Sequence, residues 1–218
     1  MVSEDRIRTA VATIKRGGTV IYPTETVYGL GADAFSEDAV RKVYKIKNRD
    51  FSQPLSVAVS SFEMLQEVAF VASECLEVLS ELLPGPVTVL LRRKAGVAPV
   101  LTAGSAGSEV EVVGVRFPEN EVARRLIEGA GPLTATSANL SGRAPPTCVE
   151  EVEIKADIIL NGGKCKYSVQ STVVDFSATA TPKEKKIEIK RRGAGYERIL
   201  HILRRKVAGE GLHGLSVP

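Results

Sequence analysis

The chain has 218 residues, 44% of them hydrophobic, long enough for one sizeable core or two small ones. Its 29 basic and 26 acidic residues leave a formal net charge of +3, too balanced to indicate nucleic-acid binding by itself, so any basic surface must be local. Three widely spaced cysteines (Cys75, Cys148, Cys165), two C-terminal histidines (His201, His213) and no apolar run near ~18 residues argue against disulfide frameworks, zinc sites, histidine triads and membrane spans.

In chain order, residues 3–16 place Ile7, Ala10, Val11 and Ile14 at helical spacing, with Ser3 as cap and Gly17-Gly18 as stop. A strand over 19–22 ends at Pro23, which cannot donate a ladder hydrogen bond. Thr24, Glu25 and Thr26 follow, and Gly29 and Gly31 are expected to turn the chain or let it approach a ligand. Ser36 caps a helix running toward Lys47, whose basic end (Lys45, Lys47, Arg49) also fits simple complementation of the helix dipole. LSVAV after Pro54 reads as a buried strand, and residues 61–83 as two helical patterns closed by Pro84-Gly85-Pro86. Residues 87–91 are a strand, a Gly/Ala/Ser-rich stretch at 104–107 is expected as a mobile lid, and 110–117 returns to strand. A helix over 120–128 leads into the strand PLTAT and then Ser137, Ala138 and Asn139. Strands are expected at 156–160, 171–176 and 185–190, a turn at 161–163 and a last helix at 196–207. The pattern predicts one α/β domain over residues 1–207, built on a single mixed, twisted sheet flanked by helices, with 208–218 as a loose tail.

Five polar clusters follow predicted elements: residues 24–26, residues 47–49, Arg116, residues 136–139 with Ser141, and Ser171-Thr172 with Arg191. Ligands gather at strand ends in α/β sheets, so these clusters are candidates for one cavity. Lysine, arginines and small hydroxyls complement a polyphosphate or carboxylate, while no histidine or cysteine offers itself as nucleophile or base. Such chemistry rests on positioning and charge neutralisation. No G-x-x-x-x-G-K-[ST] is present, which disfavours a P-loop ATPase. Capping, turn and backbone-satisfying duties remain open for each of these residues on spacing alone.

PTETVYGLG, KNR with PLSV, PGPVTVLL, VGVRFP, TSANLSG, STVVDFS and RRGA occur in the order seen in the YrdC-type threonylcarbamoyl-AMP synthases, over roughly residues 17–195. The chain resembles that family, in a form without the second domain of its longer members. The resemblance implies an open α/β fold with a large concave cavity in which ATP, L-threonine and bicarbonate become threonylcarbamoyl-AMP and pyrophosphate. It implies threonine contacts from Thr26, Arg116 and Ser171, and ATP contacts from Lys47, Arg49, Ser137, Asn139 and Arg191, with Lys47 and Arg49 as catalytic groups and Arg191 preferred to Arg192 by R-x-G spacing. Mg²⁺ is expected as cofactor, carried by the triphosphate, without a nameable protein ligand. A cytoplasmic setting, use of the product by separate tRNA threonylcarbamoyl-transferase proteins, and direct tRNA contact complete the expectation. Two departures stand out: Ala58 where many members carry histidine, and Pro145-Pro146-Thr147 where many read S-P-T. A carbamoyl-AMP-forming relative and a non-catalytic RNA-binding protein are the rival readings.

Overall fold

The computed structural model describes residues 2–105, 111–177 and 187–208. Helix ends follow capping chemistry. Ser3 accepts from the Arg6 N–H at the start of α1 (Glu4–Lys15), and Ser36 from the Ala39 N–H at the start of α2 (Glu37–Lys47). Asn48 ends α2 in the left-handed conformation at φ 48°, which asparagine tolerates. The predicted helical pair over 61–83 is α3 (Phe62–Val68) and α4 (Ser73–Leu82), separated by a two-residue strand, Ala69–Phe70. Two residues are too few to show the alternation that would reveal a strand in the sequence. Helices α5 (Glu121–Ala130) and α6 (Tyr196–Ala208) complete the set, with His201 exposed on α6.

Ten strands among the described residues form one mixed sheet: β1 (Val20–Tyr22), β2 (Gly29–Gly31), β3 (Ser56–Ala58), β4 (Ala69–Phe70), β5 (Val87–Arg93), β6 (Val112–Arg116), β7 (Leu133–Ser137), β8 (Ile158–Ile159), β9 (Thr172–Asp175) and β10 (Glu188–Arg191). Their order is β10-β9-β5-β6-β3-β7-β2-β1-β8, with β4 added to β5. β3 with β6, β5 with β9 and β1 with β8 are parallel, and the other pairs antiparallel. Residues 106–107 of the expected lid and residue 110 of the strand predicted after it lie outside the described residues, as do 185–186 of the last predicted strand and 209–218 of the tail; residues 99–105 form a 3-10 helix.

Strand periodicity assigns the two faces. Val57, Val89, Val113, Val115 and Val174 point into the main core with residues of α2, α4 and α6. Ser56, Ala58, Thr88, Leu90, Arg116, Ala135 and Ser137 occupy the other face. At one end that face is covered by α1 and α5, through a second cluster of Ala10, Ile14, Val20, Tyr22, Leu126, Ile127 and Leu133. Its centre is left open.

The expectation of a glycine turn at 29–31 is corrected. Gly29 and Gly31 are strand residues paired with β1 and β7, and neither has positive φ. Their missing side chains make room for the Tyr22 ring, since a Cβ on Gly29 would lie 3.0 Å from Tyr22 Cζ and one on Gly31 2.9 Å from Tyr22 Cε1. Gly31→Ala is therefore expected to lower stability by about 1–3 kcal/mol through overpacking, read as a lower urea midpoint with unchanged slope.

Candidate functional site

The uncovered centre of the sheet is a cavity of about 260 Å³, open on one side, with residues from eight of the ten strands or their ends in its wall. Tyr22, Thr24 and Thr26 form one corner; Ser56, Ala58, Ala135, Thr136 and Ser137 the floor; Thr88, Arg116, Gln170, Ser171 and Arg191 the far wall; and Arg49 with Pro54 and Leu55 the near rim.

The corner is organised by Thr24. Its hydroxyl donates to the Val27 carbonyl at 2.6 Å and accepts from the N–H groups of Thr26 (3.1 Å) and Val27 (3.2 Å). With that proton spent, Thr26 is the donor in the 2.9 Å contact between the two hydroxyls, and its own lone pairs are left for an N–H donor. Glu25 between them points away from the cavity and forms a buried ion pair with Arg116, their side chains 3% and 9% exposed. Glu25 also accepts from the Glu119 N–H at 3.1 Å, and Arg116 donates to the carbonyls of Gly85 (2.6 Å) and Val87 (2.5 Å). Arg116 thus borders the cavity with its charge already matched. Fork geometry in the sequence does not reveal that partner, although an acid placed at a buried strand exit was the available signal.

On the far wall, Ser171 shares a 2.7 Å hydrogen bond with Thr88, and Arg191 donates to the Ser171 carbonyl (Nη2 2.9 Å, Nε 3.1 Å) and hydroxyl (3.2 Å). Burial, and then the nearby Arg116, push the Arg191 pKa down, as expected of a desolvated cation without a carboxylate partner. Arg192 instead stacks its guanidinium 4.7 Å from the Tyr196 ring, so Arg191 is the cavity residue of the pair.

At the near rim Arg49 is held by the carbonyls of Gln53 (3.2 Å) and Pro54 (3.0 Å), and burial lowers its pKa. Lys47 and Asn139 stand apart from the other predicted residues. Neither borders the cavity. Lys47 is 1% exposed and its ammonium donates to the carbonyls of Ser137 and, at 2.7 Å, Asn139. It is buried because it lies at position i+4 and i+3 from Val43 and Tyr44, on the apolar stripe of α2 rather than on the solvent side of the helix end. Desolvation, and secondarily Arg49, bring its pKa down to about 8. Asn139 donates to the carbonyls of Leu140 and Arg143, both at 2.8 Å, and so shapes the turn after β7. Ser137 does reach the cavity, its hydroxyl free while its carbonyl is tied to Lys47. Ala58 borders the cavity as a small floor residue, and Pro146, in the second departure, accepts from the Tyr28 N–H at 2.9 Å.

Of the eight predicted residues, Thr26, Arg49, Arg116, Ser137, Ser171 and Arg191 converge on one cavity, while Lys47 and Asn139 support its wall from behind. Thr88 and Gln170 border the cavity as well and were not singled out in the sequence. Among the described residues no carboxylate borders the cavity, and no group of three or more His, Cys, Asp or Glu is arranged to hold a metal. No helix of the described residues is long and apolar enough to cross a membrane.

A half-open mixed sheet whose bare central face carries arginines and hydroxyls defines a ligand-binding α/β protein of the open-sheet class. The chain belongs to the Sua5/YciO/YrdC family, whose profile, described as "Telomere recombination", matches residues 12–193. It is 38% identical over 165 residues to a protein of Methanocaldococcus jannaschii, covering 74% of this chain and 75% of that one. It is also 38% identical over 182 residues to the threonylcarbamoyl-AMP synthase of Pyrococcus abyssi, covering 81% of this chain but 52% of that protein. The chain thus spans about half the length of that relative. The crystal structure of P. abyssi Sua5 complexed with L-threonine superposes with a TM-score of 0.82 at 35% identity, over 99% of this chain and 60% of the other.

Two measurements test this geometry. An unfolded lysine keeps its proton to about pH 10.4, whereas folded Lys47 releases it near 8. Between those values the unfolded state binds more protons, so the contribution of Lys47 to stability rises with pH. The urea midpoint of the wild type should gain on that of Lys47→Met from pH 8 to 9.5; a flat or falling difference would mean the ammonium is not desolvated. For the buried pair, Glu25→Ala or Arg116→Met alone should cost about 3–5 kcal/mol, and the double variant clearly less than the sum.

Proposed function

We propose that the protein is an L-threonylcarbamoyladenylate synthase, using ATP, L-threonine and bicarbonate to make threonylcarbamoyl-AMP and pyrophosphate. One observation carries the reading: a cavity bordered by Arg49 at one rim and by Arg116 and Arg191 at the other, with hydroxyls between, on the fold shared with the threonine complex of P. abyssi Sua5. Cations on both sides of the cavity suit substrates that bring a triphosphate and a carboxylate.

In this reading Thr26, Arg116 and Ser171 receive threonine. The lone pairs of Thr26 accept from its amine, and the guanidinium wall faces its carboxylate. Arg49, Ser137 and Arg191 receive ATP, the arginines screening phosphate charge. Lys47 and Asn139 act on the nucleotide indirectly, by fixing the turn that presents Ser137. The amine of threonine combines with bicarbonate to give an N-carboxylate and water. One oxygen of that carboxylate then bonds the α-phosphorus while the bond from phosphorus to the β-phosphate bridging oxygen breaks, its electron pair leaving with pyrophosphate. The cavity need supply only alignment and charge dispersal, which accords with its lack of a nucleophile or general base.

Mg²⁺ belongs to the proposal as an ion arriving on the triphosphate, because the residues present do not form a ligand set and Glu25 is matched by Arg116. The product would pass to separate proteins that modify the tRNA adenosine beside the anticodon. Cys75, Cys148 and Cys165, which form no disulfide among the described residues, suit the reducing cytoplasm as the place of action.

Pyrophosphate release by the purified chain should require threonine and bicarbonate together, with the threonylcarbamoyl adenylate detected by mass spectrometry; release indifferent to threonine would overturn the reading. Arg49→Ala is expected to weaken ATP binding by about 1.5–3 kcal/mol in calorimetry. Thr26→Val is expected to leave ATP binding intact and to impair threonine-dependent turnover, and equal loss of both would mark Thr26 as purely structural.

A further inference from the structure

The polar groups bordering the cavity divide by whether the protein already uses them. Thr24 and Thr26 bond each other, Thr88 bonds Ser171, and the three arginines each hold backbone carbonyls. Ser56, Thr136, Ser137 and Gln170 have side chains with no hydrogen-bond partner among the described residues. The three hydroxyls belong to the floor strands β3 and β7 or their ends. Gln170 is the one amide, and it stands apart, beside Ser171 at the arginine-rich far wall.

Its backbone is firmly placed. The Gln170 carbonyl accepts from the Ala194 N–H at 2.8 Å, and Gly193 lies so close that a Cβ there would fall 2.3 Å from that oxygen. The main chain of Gln170 is thus clamped by the turn after β10, while its side chain, half-buried, is left uncommitted. A fixed backbone with an unspent amide at a cavity wall leaves both the oxygen and the nitrogen of that amide available to a ligand.

We propose that Gln170 is a substrate-contacting residue whose amide oxygen accepts a hydrogen bond from the α-amine of the bound amino acid, orienting the nitrogen that is carboxylated. The inference rests on the function proposed above. The charged side chains bordering the cavity are Arg49, Arg116 and Arg191, all cationic, and the tyrosines Tyr22 and Tyr28 are held neutral by pKa values raised through burial. Guanidinium groups attract the substrate carboxylate and repel an ammonium. Among the described residues no carboxylate borders the wall, so the amine is left with neutral acceptors, of which Gln170 is the amide beside Ser171. A neutral acceptor also has a chemical advantage. The nitrogen must shed its proton before its lone pair can form the bond to the bicarbonate carbon with loss of water, and an anionic acceptor would favour the protonated form.

The test uses the full chain, with pyrophosphate release measured against threonine, bicarbonate and ATP-Mg²⁺ for Gln170→Ala and Gln170→Glu. Gln170→Ala should raise the KM for threonine by about tenfold or more while the KM for ATP stays within about twofold. Gln170→Glu should still bind threonine but shift the acid limb of its kcat/KM profile to higher pH, because a carboxylate holds the amine protonated. An unchanged threonine KM in Gln170→Ala, a parallel rise of both KM values, or a Gln170→Glu profile that overlays the wild type would overturn the assignment. Wild-type protein whose pyrophosphate release ignores threonine would instead defeat the proposed function itself, and this inference with it.

Discussion

The buried pair of Glu25 and Arg116 is the constraint on which the cavity depends. A bare sheet face can hold polar ligands only if its own polar wall does not collapse or fray, and this pair fixes that wall. Arg116 ties the end of β6 to the carbonyls of Gly85 and Val87 at the entry to β5, while Glu25 brings the loop after β1 to the Glu119 N–H. Three chain segments, around residues 25, 85–87 and 116–119, meet at this pair. Charge cancellation within the pair has a second effect, leaving Arg49 and Arg191 as the cavity cations without a carboxylate partner among the described residues. A buried ion pair is a weak source of net stability, because desolvation offsets most of its attraction. Its value here is geometric.

Lys47 plays a comparable part on the other side. Its ammonium bridges the carbonyls of Ser137 and Asn139, holding the turn at the end of β7. Cations in this fold therefore serve two purposes. Lys47 and Arg116 brace backbone carbonyls, and Arg49 and Arg191, although each also holds a carbonyl, keep donor capacity on the cavity side. Reaction by alignment and charge dispersal requires both, since donors that shift when substrate arrives would lose the advantage of preorganisation.

The open centre of the sheet follows from helix placement. Valines on one face of β3, β5, β6 and β9 are sealed by the main core, and α1 with α5 covers only one end of the opposite face. Small residues there, Ser56, Ala58 and Ala135, keep the floor low, and Gly29 and Gly31 let the Tyr22 ring lie flat against β2. The cavity is the part of the sheet that no helix reaches.

Much of this was legible in the sequence. Caps at Ser3 and Ser36, the apolar stripes of the helices, and the V-x-V alternation of the central strands all report local physics, so element type and the mixed α/β class could be read directly. Ordered motifs such as PTETVYGLG and TSANLSG marked the segments that build the site, and six of the eight residues drawn from them meet there. What the sequence could not decide was direction. Whether Lys47 faces phosphate or backbone, whether Arg116 stands free or paired, and whether glycines 29 and 31 turn or pack depend on contacts between residues about 90 or more apart, or on a ring lying across a neighbouring strand. Charge and spacing determine which groups are present; only the tertiary structure determines which of them the protein spends on itself and which it leaves for a ligand.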